Sequence, residues 1–429
     1  MPTTTGSSAH NATIRHAGRE PLSLALMASR NRTLSLFTLF EPLLREQGVG
    51  AAAVAPALWR LGRAGWFQEW WVGRNLQRAR GAAADGSATR LASIEPRADA
   101  CWASGSEDAA EAAGVRWPGI DDIKAYLLQT LEGTLDLLAS LPKGAEDDAG
   151  LYFYRLALLH EDLLHEQWLE AAQTFGVALP REWRDALQAV ARAPRDALLL
   201  PATRFMLGSD GAGFAFDHER PAHPVDIPEF EIDAQAVTWA QYAEFVADGG
   251  YDREECWSGD GWAWLRLHGQ GQGQDPRRAP RHVEQIGSGS GAALVTRFGV
   301  PVRMAPQHAA LHVSWWEADA WCRWAGRRLP AEVEWELAAV TAARRGFHWG
   351  DVWEWTASRG RAYPGFTPGP ASAGLPGSAG AGRDITGTRA TRVLRGASFA
   401  TTGRLRCPRY RMFASPERDE GFVGFRSCV

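Results

Sequence analysis

The chain has little that would commit it to a nucleic acid, a membrane or a disulfide scaffold. Its formal net charge is only −4, which leaves no basic footprint for nucleic acid and no polybasic patch for an anionic bilayer. No apolar run approaches the ~18 residues that a membrane helix needs. The polar N-terminus also lacks a charged segment followed by a short hydrophobic one. Five cysteines, Cys101, Cys256, Cys322, Cys407 and Cys428, are scattered without CxxC spacing, so neither a disulfide framework nor a thiolate zinc site follows. The expectation is a cytoplasmic protein whose partners are small molecules, with no nucleic acid and no membrane among them.

What the chain does have is length, tryptophan and glycine. Its 429 residues exceed what one hydrophobic core usually organises, which suggests two domains. The 20 tryptophans and 45 glycines concentrate beyond residue 200 and point to a loop-rich second domain stiffened by buried aromatics. Residues 1–19 are small and polar and read as a disordered tail. Apolar residues at helical spacing mark four helices, over 21–47, 58–76, 120–141 and 151–175, with a long Ala/Gly/Ser/acid-rich crossover at 81–119. That is the pattern of a four-helix bundle, over 20–180. A linker at 181–201 leads to an α+β domain at 202–429. There, 204–207, 230–232 and 310–313 read as strands and 238–248, 315–326 and 331–342 as helices. The low-complexity stretches 269–291 and 367–387 read as mobile loops.

The chemistry concentrates in LALLHEDLLHEQWLE, Leu156 to Glu170, where two histidines and several carboxylates crowd into four helical turns. His160 and His165 are five apart, about 140° around a regular helix, whereas Glu161 and His165 share a face. Two readings stand. The histidines are solvated or hydrogen-bonded members of a polar face, or a π-bulge near Leu163 and Leu164 turns both to one side as metal ligands.

In the second half six motifs follow in order: FAFDHERPAHPV (214–225), VTWAQYAEFV (237–246), HVSWWEADAWCRWAGRRLPAEVEWELAA (312–339), WGDVWEWTAS (349–358), VLRGASFAT (393–401) and GFVGFRSC (421–428). Together they resemble the formylglycine-generating-enzyme, or sulfatase-modifying-factor, domain with its C-type-lectin-like, coil-rich fold. Preceded by a DinB-like four-helix bundle with a histidine-bearing fourth helix, the chain over about 20–429 resembles the non-haem iron sulfoxide synthases of ergothioneine biosynthesis. LWRLGRAGWFQEWWVGRN (58–75), the HED run, YPGF (363–366) and PERDEGFVGFRSC (416–428) look closest to the selenoneine synthase branch.

The resemblance implies iron(II) held by three histidines, one on the second helix and two from an HxxxH pair on the fourth, with dioxygen as co-substrate. It further implies trimethylhistidine (hercynine) as substrate and a thiol or selenosugar as donor. Imidazole suits iron, and open coordination positions serve the co-substrates. Carried over residue by residue, Arg63 stands at the second-helix ligand position and HEDLLH replaces HExxH. The metal candidates are therefore His160, His165 and Glu161, and the substrate-binding candidates Arg63, Arg411, Met412 and Phe413. No tyrosine lies between Tyr363 and Tyr410, where the family's proton donor belongs. Trp349, Trp353, Trp355 and Arg426 read as packing and turn residues. A copper oxidase reading would need two thiolates, and here Cys407 is followed by Met412. The alternative to iron catalysis is a non-catalytic or altered-function homologue that has lost the three-histidine site. Because a lone buried guanidinium costs roughly several kcal/mol, Arg63 is expected to pair with Glu161, Asp162 or Glu166.

Overall fold

The computed structural model describes residues 14–45, 51–103, 116–142, 144–268, 277–287, 291–370 and 391–429. The four long helices are α1 (Arg19–Phe37), α2 (Ala51–Gln68), α3 (Ile120–Ala139) and α4 (Asp148–Thr174). They close a ring in which α1 packs on α4, α4 on α2, α2 on α3, and α3 on α1. α4 starts where the Asp147 carboxylate accepts the Gly150 amide at 2.8 Å, an N-cap that satisfies one of the four orphan donors of the first turn. Buried residues surround it on every side, from Leu156, Leu158 and Leu159 to Leu164 and Trp168, as a central helix requires.

Several boundaries differ from expectation. The tail expected over 1–19 lies outside the described residues up to 13. At Ile14–His16, however, the chain forms a 3₁₀ turn with Ile14 and Arg15 buried, because Arg15 pairs with Glu219 of the second half at 2.6 Å. The 81–119 crossover contains a short helix, Ala98–Trp102, whose Cys101 and Trp102 are buried. The linker carries a helical turn at Arg181–Ala186, and its end is strand β1 (Leu198–Leu200).

The second half pairs β1 with β4 (Phe230–Ile232), and β2 (Thr203–Leu207) with β3 (His223–Ile227), both antiparallel. Strands β5 (Val283–Ile286), β6 (Ala293–Arg297) and β7 (Val300–Met304) form a meander. A four-stranded sheet runs in the order β10 (Arg411–Ala414), β9 (Arg392–Gly396), β8 (Trp353–Arg359), β11 (Val423–Phe425), with β11 parallel to β8. Around these lie α5 (Trp239–Ala247), α6 (Gly259–His268), α7 (Trp315–Trp324) and α8 (Glu332–Thr341). α5 and α7 start on capping boxes, Thr238 with Gln241 and Ser314 with Glu317. The strand expected at 310–313 does not form. His312 has φ 61°, a left-handed backbone that ends an extended run, and only an isolated bridge from Thr238 to Ala309 remains. β5 falls within the stretch 269–291 expected to be a loop. Residues 269–276, 288–290 and 371–387 of the two expected loops lie outside the described residues.

Candidate active site

α4 serves three partners from three sides. Toward α1, both Glu161 oxygens are taken by Arg30, Nε to Oε1 at 2.8 Å and Nη2 to Oε2 at 3.1 Å, and Thr33 donates to Oε1 at 2.6 Å. The Thr33 hydroxyl has one proton, so toward His165 it accepts. Nε2 of His165 lies 3.0 Å from that hydroxyl and 3.1 Å from the Ser29 carbonyl, which fixes the proton on Nε2 and the lone pair on Nδ1. Nδ1 lies 3.5 Å from Asp162 Oδ1. Burial pushes the His165 pKa down to about 3, so the ring is neutral at neutral pH.

Toward the second half, Asp162 receives Arg404 in a two-point pair at 2.7 and 2.8 Å as well as the Ser29 hydroxyl at 2.9 Å. One turn on, Glu166 accepts from Ser398, from Thr401 at 2.7 Å and from the Trp353 indole at 2.9 Å. Burial, with Glu170 nearby, raises its pKa to about 7. Glu170 in turn holds Arg418 at 2.7 Å. Trp353, read from sequence as packing alone, thus reaches the candidate site, whereas Trp355 and Arg426 bond Val313 O and Glu354 inside their own half.

Toward α2, the His160 ring lies flat on Phe67, centroids 3.5 Å apart and planes 1° off parallel. One turn before Phe67 on α2 sits Arg63. Its Cζ is 4.5 Å from the Trp66 ring, 5.6 Å from Trp59 and 5.8 Å from Phe67, and Nη1 donates to the Trp102 carbonyl. That carbonyl approaches because residue 62 is glycine: a Cβ there would overlap the Trp102 ring. Burial lowers the Arg63 pKa to about 9. Of the acids expected to receive Arg63, Glu161 and Asp162 are clamped by Arg30 and Arg404, and Glu166 by hydroxyls and an indole.

α4 is α-helical throughout, without the expected π-irregularity; the π segment instead follows α2, at Glu69–Gly73. His160 therefore faces α2 and His165 faces α1, both fully buried. A three-histidine iron centre needs imidazole lone pairs converging on one point. Here a guanidinium, which cannot ligate a cation, holds the second-helix position, and the Phe67 ring lies flat against His160. Glu161 has both oxygens engaged. Among the described residues no group of three or more His, Cys, Asp or Glu side chains is placed to hold a metal. The residues present do not fit that centre.

Arg411, Met412 and Phe413 lie on β10, away from the α4 cluster. Arg411 and Phe413 share one strand face. The Arg411 guanidinium is saturated by both oxygens of Glu332 (2.8 and 3.0 Å), His218 O and Arg361 O, and stacks 3.8 Å from the Tyr363 ring. The two clusters are joined by aromatic contacts, from Trp353 to Tyr410 to His218. Sequence reasoning missed Ser29, Arg30, Thr33, Ser398, Thr401 and Arg404. The one readable signal was Arg30, an arginine inside the apolar-spaced MASRNRT stretch of α1.

A helical bundle buttressed through a central helix by a coil-rich α+β half defines a two-part protein whose second half is of sulfatase-modifying-factor type. Residues 184–351 match the sulfatase-modifying factor enzyme 1-like domain. The chain is 31% identical to hercynine oxygenase of Mycolicibacterium smegmatis, over 95% of this chain and 98% of that one. It is 30% identical to hercynine oxygenase of Mycolicibacterium thermoresistibile, over 95% and 94%. The formylglycine-generating enzyme of Streptomyces coelicolor matches at 33% over 37% of this chain and 52% of that protein. The chain belongs to the hercynine oxygenase family, a family of oxidoreductases. Among the described residues no helix is long and apolar enough to cross a membrane.

Proposed function

We propose that this protein is an oxidoreductase that acts on hercynine, the trimethylammonium betaine of histidine, in the iron-dependent oxygenase class of its relatives. The observation that carries the reading is the likeness to hercynine oxygenases along 95% of the chain, which spans the bundle and the second half together. A thiol or a selenosugar would be the donor, forming a carbon–sulfur or carbon–selenium bond. The selenium branch rests on the 58–75, HED, YPGF and 416–428 resemblances.

Iron, when bound, would supply oxygen activation. The three-histidine set does not fit here, so this reading requires a ligand set other than residues 63, 160 and 165. The part that the chain's own residues support is architectural. α4 is pinned to both halves by Arg30, Arg404, Ser398 and Arg418, so that any ligand in the seam would meet preorganised polar groups rather than water.

One observation favours a second reading, an altered-function homologue that has lost the iron site: the buried Arg63 guanidinium among Trp59, Trp66 and Phe67 at the second-helix position. Iron content after anaerobic purification with ferrous ion, followed by oxygen uptake with hercynine and either cysteine or a selenosugar, separates the two. About one iron per chain with hercynine-dependent uptake supports the first. Absence of iron with calorimetric binding of hercynine supports the second. Absence of both iron and hercynine binding overturns the first and leaves the second with a ligand other than hercynine.

A further inference from the structure

A cavity of about 530 Å³ opens where the Ile14–His16 turn, the loop after β2 and the segment 404–409 meet. Its size lies in the range of small-ligand pockets, roughly 300–1,000 Å³. Its walls bring together four guanidinium groups, Arg15, Arg404, Arg406 and Arg409, and the imidazole of His16, against one carboxylate, Asp210.

Charge bookkeeping around this wall does not close. Arg15 is matched by Glu219 and Arg404 by Asp162. Arg409 shares Glu336 with Arg395, so one carboxylate serves two guanidinium groups. Arg406 donates from Nη2 to the Ser398 carbonyl at 3.0 Å; the carboxylates that act on it, Glu166 and Asp351, do so through space, and among the described residues none lies within ion-pair distance of it. Asp210 spends its Oδ1 on the Ala222 amide at 2.8 Å, which ties that charge to its own loop. Guanidinium groups that line one cavity offer a planar or tetrahedral oxyanion two-point hydrogen bonds.

We propose that this cavity is a binding site for a small polyanion, a phosphate- or carboxylate-bearing molecule of at least two negative charges, with Arg406 as its main contact. The site is separate from the Arg63–Phe67–His160 stack and does not rest on the hercynine reading. It is linked to α4 through Arg404, which meets the ligand on one side and Asp162 on the other.

Isothermal titration of the full chain at physiological salt, with inorganic pyrophosphate in one arm and succinate in the other, tests the proposal and tells phosphate from carboxylate. One-site binding of at least one probe is expected. Arg406→Gln should weaken it about tenfold, and Arg406→Lys, which keeps the charge, markedly less. Because Arg406 also braces the Ser398 carbonyl, the exposed His16 supplies a second variant, and His16→Asp should weaken binding by a similar factor without disturbing the fold. Absence of binding of both probes to the unmodified chain overturns the proposal. So does binding that both variants leave unchanged, which would put the anion elsewhere.

Discussion

At the scale of single residues, Arg63 and Phe67 decide what the bundle core can hold. A ferrous ion beside a guanidinium in a poorly screened interior is strongly disfavoured, so Arg63→His removes the repulsion. It does not remove Phe67, whose ring still covers His160. The expected outcome is that Arg63→His alone leaves Co(II) or Fe(II) affinity low, and that Arg63→His with Phe67→Ala binds Co(II) at least about tenfold tighter, read from the visible spectrum of the cobalt form. The double variant should also lose about 3 kcal/mol of stability from the emptied ring site. Tight stoichiometric cobalt in the single variant would sink the idea.

Glu166 gives a second test at this scale. Its folded pKa of about 7 lies above the ordinary 4.5, so the folded chain keeps a proton that the unfolded chain releases between those values. Stability from this group therefore falls as pH rises from 4.5 to 7. Glu166→Gln, which resembles the protonated form, should gain on the unmodified protein through that window, by an amount on the order of 2 kcal/mol, measured by urea unfolding at pH 4.5 and pH 8. His218 works in the opposite sense: burial lowers its pKa to about 4 from 6.5. The contribution of its neutral ring is lost as pH falls from 6.5 through 4.

At the scale of elements, α4 is the part whose chemistry was most legible and whose geometry was least so. Its boundaries follow from apolar spacing and from Gly176 and Pro180 beyond its end. That it carries the polar cluster follows from HEDLLHEQ. Which way each side chain points does not follow, because five-residue spacing admits either a regular helix or a π-bulge, and the choice rests with partners far away in sequence. Ser29, Arg30 and Thr33 draw Glu161 and His165 toward α1, Phe67 takes His160, and Arg404 takes Asp162. The strands β8 to β11 were hidden for a related reason. Their residues are buried on both faces, as in WEWT and VGF, so no period-2 alternation marks them. The central place of the Asp162–Arg404 pair can be measured. Asp162 is fully buried, so Arg404→Ala strands a carboxylate at a cost of about 3 kcal/mol. In the Asp162→Asn background the same change should cost much less, and additive effects in that double-mutant cycle would show that the pair does not hold the seam.

At the scale of the whole molecule, the larger of two buried clusters joins the two halves, while a smaller one around Trp335 and Phe347 lies within the second half. Leu156, Trp168 and Phe67 of the bundle belong to the same contiguous cluster of buried side chains as Phe216, Trp353 and Phe422 of the second half. Polar ties, buried or partly buried, cross at Arg15–Glu219, Asp162–Arg404, Glu166–Ser398 and Glu170–Arg418. Domains that fold alone meet through smaller and more polar surfaces. Here, parting the halves would expose apolar side chains and leave Asp162, Glu166 and Glu219 without their donors, each at roughly 1–3 kcal/mol or more. Unfolding should therefore be a single cooperative event despite the length of the chain. The helical signal at 222 nm, which arises mostly from α1 to α4, should fall at the same denaturant concentration as tryptophan fluorescence, which reports on both halves. A fragment ending at residue 190 should lack a cooperative transition of its own. Two separated transitions in the full chain, or a fragment that melts as sharply as the whole, would show that the shared core does not couple the bundle to the half that braces it.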